Sequence, residues 1–226
     1  QWTATIVFGL CQNALYLGLN FVAMQTIEAS LAAIIASTMP LLVALGGWVA
    51  FGEKVRPLGA AGLITGVIGV ALIMGSRISG GVDTFGLFLC VIGVLSLTVA
   101  TMAVRGASTG GNILMIVGLQ MLIGSASLAV VAITTESWRV NWNWVMGAAF
   151  VYTTLIPGLA ATWVWFLLVQ RIGAVRAATF HFLTPFFGVL VAAALLGEAL
   201  RPLDAIGVAI IMAGILAVQL SKQTRR

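Results

Sequence analysis

Residues 40–58, PLLVALGGWVAFGEKVRPL, and residues 185–203, PFFGVLVAAALLGEALRPL, are two versions of one stretch. Each opens on proline, continues as an apolar run, turns at Gly-Glu and closes on Arg-Pro-Leu. The match extends outward without a gap, from about Phe21–Ser76 onto Phe166–Ser221. Gln25 falls on Gln170, Ile27 on Ile172, Ala32 and Ala33 on Ala177 and Ala178, Gly62 on Gly207 and Gly69 on Gly214. Roughly one position in four is identical, too long a register for chance even in a biased composition.

The chain is built for a bilayer. Hydrophobic residues make up 61% of its 226 residues and charged residues 8%; the mean hydropathy is +1.14. So few charges could not cover the surface of a soluble domain. A spanning helix needs about 20 apolar residues. Eight segments qualify, at about 3–24, 29–51, 57–76, 86–105, 113–134, 146–169, 174–196 and 202–221. The longest connection, Thr135 to Trp144, carries Trp138, Trp142 and Trp144, and reads as an interfacial loop. Cys11 and Cys90 lie in apolar stretches without metal-ligand spacing and read as packed thiols. The expectation is an all-α polytopic membrane protein with no cofactor, no metal and no nucleic-acid partner.

The cations orient it. With alternating helices, Lys54, Arg56, Arg105, Arg171, Arg176, Lys222, Arg225 and Arg226 share one side, and Arg77, Arg139 and Arg201 the other. The richer side is cytoplasmic by the positive-inside rule, and so is the C-terminus. Five helices separate Gly52-Glu53 from its copy Gly197-Glu198, so the two turns lie on opposite sides and the repeats are inverted. Inverted repeats characterise transporters, whose substrate site lies between the halves. The second repeat, 81–226, holds five helices and a basic tail; the first, 1–80, holds three. Two more helices are expected ahead of Gln1.

The Pro40…Gly52-Glu53…Arg56-Pro57 pattern and its copy resemble the repeat signature of the drug/metabolite transporter superfamily, EamA type. Thr184-Pro185-Phe186-Phe187…Leu196-Gly197-Glu198, before a glycine-containing last helix, is particularly similar. The resemblance covers essentially the whole chain. It implies ten helices in two inverted five-helix repeats, of which this chain holds the third to the tenth. It also implies a central cavity open to one side at a time. Members export amino acids, other metabolites or drugs, and some carry nucleotide sugars or triose phosphates. Bacterial amino-acid exporters of the YddG type are the nearest likeness in architecture and cavity character. The implied location is the bacterial inner membrane.

Polar side chains inside a membrane mark the candidate path, because lipid offers them no partner. Gln12, Tyr16 and Asn20 recur every four residues on one face, with Asn13 beside them. They line the path or hydrogen-bond between helices. His181 is the only histidine, with Thr184, Pro185 and Gly188 on its face. It lines the cavity or makes one static bond. Tyr152 and Trp163 come from the sixth segment, the counterpart of the first. Trp163 stacks on a solute or faces lipid. Pro40, Pro157 and Pro185 are hinge candidates. Gly62, Gly66 and Gly69 on the third helix, and Gly207 and Gly214 on the last, read as close-packing positions. Glu53 and Glu198 sit at helix ends and read as structural.

The helix centres hold no carboxylate, which a small multidrug-type proton antiporter needs, and no Lys or Arg, which a phosphate carrier needs. A cavity of Gln, Asn, Tyr, Thr, His and Trp suits a neutral or zwitterionic solute. The expected function is export of amino acids or similar small metabolites by alternating access, by a chain that works as a monomer in the bilayer. Drug or quaternary-amine efflux is the alternative. An intramembrane enzyme using His181 with Ser37 is a distant third, since no catalytic motif supports it.

Overall fold

A computed structural model describes residues 2–104, 113–136, 142–161, 164, 167–168, 171, 180–199 and 201–223. The described residues form helices and their connections. The first span is continuous: α1 (Trp2–Phe8), a π-helical stretch Gly9–Leu17, and α2 (Gly18–Ala23). Then come α3 (Ala29–Ser37), α4 (Met39–Phe51), α5 (Pro57–Ser79), α6 (Thr84–Val104) and α7 (Ile113–Thr135). Next, α8 (Trp144–Thr153) runs into a second π-helical stretch, Thr154–Ala160. A 3₁₀ turn at Phe180–Leu183 leads into α9 (Thr184–Leu196), and α10 (Pro202–Gln223) follows. Six helices of the described residues are long and apolar enough to cross a membrane; Trp144–Pro157 and Phe180–Leu196 are shorter apolar helices. The sixth and seventh expected segments extend into residues outside the described set.

The repeat is visible in the backbone. Thr38 interrupts the second span, and Pro40 sits in the first turn of α4; Pro185 does the same in α9. Proline suits a first turn because the N–H it lacks would have no helical partner there. Ser37 and Thr38 donate their hydroxyls to the Ile34 and Ile35 carbonyls at the break. The far ends match as well. Gly52 (φ 63°) and Gly197 (φ 69°) both stop their helices in the left-handed conformation, where a side chain would be strained. The next N–H closes each turn: Glu53 donates to the Gly47 carbonyl at 3.1 Å, and Glu198 to the Ala192 carbonyl at 3.4 Å. The π-helical stretches also correspond. The offset that carries Gln25 onto Gln170 carries Gly9, where the first begins, onto Thr154, where the second begins. π-Helical turns are rare and concentrate at functional sites.

Matched elements pair head to tail. Along α5 and α10, Gly59 faces Ser221, Gly62 faces Gly214 and Ala217, and Gly69 faces Ile211 and Gly207. A Cβ on Gly62 would fall 2.7 Å from the Gly214 carbonyl oxygen, so only glycine allows this approach. Gly66 meets both Gly214 and the Leu41 side chain. Helices in lipid gain little from apolar burial against each other, and close van der Waals contact between small residues takes its place. In addition α9, the repeat counterpart of α4, lies against α3, with Gly188 over Ala33. Both pairs run antiparallel. Leu31 and Ile34 of α3, Ile73 of α5, and Ile211 and Ile215 of α10 are fully buried members of one apolar core.

Candidate functional site

A half-open cavity of about 200 Å³ lies between the first span and α3. Tyr16, Leu17, Asn20, Phe21 and Met24 line one wall, and Ala29, Ala32, Ala33 and Ala36 the other. Among the described residues, no charged side chain lines it. The alanines follow from helical spacing, one small face of α3 turned to the opening. The volume is below that of pockets for drug-sized ligands, about 300–1,000 Å³, and suits one small metabolite. Asn20 is held in place: its amide donates to the Tyr16 carbonyl at 2.8 Å, and its oxygen accepts from Cys90 at 3.4 Å.

The polar stripe of the first span divides. Tyr16 and Asn20 reach the cavity. Asn13 is buried and turns to α7, donating to the Gln120 side-chain oxygen at 2.6 Å and to its carbonyl at 3.2 Å. Gly9 and Gly124 let the two backbones approach there. Gln12 is half-buried. The physical reason for the split is the π-helical stretch. Its i→i+5 ladder widens the turn, so residues four apart no longer stack on one face.

Other candidates lie elsewhere. Tyr152 is 59% exposed, on a helix with no buried side chain, and is not part of the cavity lining. Pro157 falls inside the second π-helical stretch. His181 is half-buried in the 3₁₀ turn before α9, and Thr184 is exposed. Trp163 lies outside the described residues. The Ser37 hydroxyl is buried and engaged with Ile34.

A second feature escaped the sequence reading. At the end of α5, Arg77 is buried between Glu28, just before α3, and Asp204, in the first turn of α10. Arg77 and Asp204 are each 3% exposed. Arg201 lies 3.8 Å from the other oxygen of Glu28. Beside them, the Glu198 carboxylate accepts from the N–H groups of Ala29 (2.7 Å) and Ser30 (3.0 Å) and so caps α3 from the other repeat. Partial burial pushes the Glu198 carboxyl up. Hydrogen bonds from Ser30 and from the Ala29 backbone outweigh it and hold the group below its usual range. Asp83 is likewise lowered, by the Thr26 hydroxyl at 2.6 Å and then the Gly86 N–H at 2.9 Å. Isolated charges at the ends of apolar segments were the available signal; their meeting depends on how three distant helices pack.

With six helices among its described residues long and apolar enough to cross a bilayer, this is a multi-pass membrane protein. More narrowly, the chain belongs to the EamA-like transporter family, whose sequence model matches residues 1–75 and 84–220. It is similar to the uncharacterized transporter YvbV of Bacillus subtilis, 25% identical over 227 residues, covering 100% of this chain and 74% of YvbV. A chloroplastic WAT1-related protein of Arabidopsis thaliana is 24% identical over 229 residues, covering 96% of this chain and 54% of that protein. The uncharacterized inner membrane transporter YedA of Escherichia coli K12 is 23% identical over 205 residues, covering 88% of this chain and 64% of YedA. The fold also matches a protein of known crystal structure, with a TM-score of 0.66 and 20% identity over 100% of this chain and 79% of that one.

Proposed function

We propose that this chain exports small neutral or zwitterionic metabolites, amino acids with apolar or aromatic side chains foremost, by alternating access across a bacterial inner membrane. The observation that carries the reading is the uncharged cavity in which Tyr16 and Asn20 face the alanine wall of α3. Such a lining leaves a solute's apolar side chain against methyl groups and offers carbonyl, amide and phenol groups to its polar end. It offers no cation to replace the water around a phosphate.

The repeat supplies the exchange of states. Residues 1–80 and 81–226 act as the two halves of an inverted ten-helix plan, with the C-terminus in the cytoplasm. The corresponding π-helical stretches and the breaks at Pro40 and Pro185 are the places where each half bends. His181 occupies in the second repeat the register position of Ala36, a cavity-lining residue of the first. A ring therefore replaces a methyl on one side of the path, and Trp163 and Thr184 contribute from that same half. One chain supplies both halves, so the monomer transports.

Counterflow tests this. Full-length protein in liposomes is loaded with unlabelled solute and offered labelled amino acids, including aromatic ones, beside a quaternary amine. Amino-acid uptake above empty liposomes is expected. Silence for every amino acid would refute the reading, and flux of the amine alone would move the protein to drug efflux.

A further inference from the structure

We propose that the charged cluster where α3, α5 and α10 meet is an ionic latch between the repeats, holding the membrane face opposite the C-terminus closed at rest. The inference rests on the alternating-access reading above and adds which face is shut and what shuts it.

The contacts cross from one repeat to the other. Arg77 of the first pairs with Asp204 of the second. Arg201 of the second reaches Glu28 of the first. Glu198 of the second grips the first turn of α3, and α3 is the alanine wall of the cavity. The cluster thus fastens one cavity wall to the other repeat. All of it lies at one face, because Asp204 is in the first turn of α10 and the chain leaves α10 at its far end.

The cluster has a fixed part and a releasable part. Arg77 and Asp204 are fully buried, and separating them would leave an uncompensated charge in a medium that cannot solvate it. They form the anchor. Glu28 and Arg201 are 37% and 40% exposed and border a polar crevice of about 210 Å³. Water can replace their contact there, so this pair opens at small cost. They form the clasp.

The other face has no equivalent cluster by sequence. The repeat register carries Asp204 onto Gly59, Glu28 onto Gly173 and Arg77 onto Lys222. Both carboxylate positions therefore hold glycine in the second set. This buried cluster therefore has no register copy at the other mouth, and its contacts favour closure of the mouth they span.

The test needs no substrate, so its failure is distinct from failure of the transport reading. In full-length protein with Cys11→Ser and Cys90→Ala, Ala36→Cys places one thiol in the cavity. A membrane-impermeant maleimide is applied to either face of sealed vesicles, with a C-terminal tag reporting sidedness. Arg201→Gln should speed labelling from the face opposite the tag by about fivefold, the shift one part-exposed ion pair can produce, and Glu28→Gln, which also takes a partner from Arg77, by at least as much. Labelling from the tag face should slow or hold. An unchanged rate from the opposite face overturns the latch. So does an equal rise from both faces, which would mean general loosening. Arg201→Gln leaves the buried pair intact and decides the matter if Glu28→Gln does not accumulate.

Discussion

Adding one methyl group at Gly214 should loosen the whole chain, while adding one at Gly75 should tighten it. A Cβ on Gly214 would lie 2.6 Å from the Gly66 nitrogen and 2.7 Å from the Gly62 carbonyl oxygen. Comfortable carbon contacts lie at about 3.5–4.0 Å, so α5 and α10 would have to part by on the order of 1 Å. Both obstacles are backbone, and no rotamer change relieves them. The displacement would also spoil the neighbouring close approaches at Gly69 and Gly207. Overpacking of this kind costs about 1–3 kcal/mol. Gly75 sits in the partner helix, α5, with nothing within 4 Å of the added atom. There the change removes only glycine's helix penalty and gains about 1 kcal/mol. Thermal unfolding of the purified protein, read by a thiol dye as buried Cys90 becomes reactive, compares the two variants. At about 2–4 °C per kcal/mol for a chain of this size, Gly214→Ala should lower the midpoint by about 2–12 °C, and Gly75→Ala should raise it by about 2–4 °C. A Gly214→Ala midpoint at or above that of the parent would refute the packing argument.

Three further outcomes are expected. In a double-mutant cycle, Asn13→Ala and Gln120→Ala should couple by about 0.6–1.7 kcal/mol, the range for hydrogen bonds between membrane helices; additive costs would mean the contact contributes nothing. Because the Glu198 carboxyl is held below its usual range, its contribution is present above the unfolded value and is lost as pH falls through the folded one. The stability advantage of the parent over Glu198→Gln should therefore stand at pH 7 and shrink below about pH 4.3, and an advantage independent of pH would dismiss the ionised cap. Ala36→Phe narrows the cavity and should cut counterflow by about tenfold or more with little change in unfolding midpoint; undiminished flux would take α3 off the path.

The parts of the molecule readable in its sequence are those set by local chemistry. Segment length and apolarity gave most of the spanning helices, and Gly52 and Gly197 marked their own turns because few other residues adopt that backbone. Long-range pairing was not readable in the same way. The stripe Gln12, Tyr16 and Asn20 was aligned with a 3.6-residue period, and a π-helical stretch leaves no such periodicity in side-chain polarity. Asn13 found its partner in Gln120 on another span. Glu28, Arg77 and Asp204 lie at the ends of apolar segments far apart in sequence, and only the packing of the folded chain makes them one cluster. Glu198 was read as structural, and its carboxylate does cap a helix, but one in the opposite half of the chain.

What the two repeats share, and what they do not, separates machinery from specificity. Pro40 and Pro185, Gly52 and Gly197, Gly62 and Gly207, and Gly69 and Gly214 are pairs at which both halves keep the same residue, and each governs a helix start, a helix stop or a close approach. The paired side chains of the candidate path differ: Gln12 against Pro157, Asn20 against Trp165, Ala36 against His181. Under the proposed alternating access, two halves that exchange shapes must bend alike, which constrains the backbone. A small solute has no two-fold axis, so nothing requires its two walls to match. The residues that distinguish one solute from another should therefore be found where the repeats disagree inside the cavity. Exchanging the pair, with Ala36→His and His181→Ala in one chain, should leave folding intact while altering which amino acids compete in counterflow. An unchanged competition profile would show that selectivity is set at other positions.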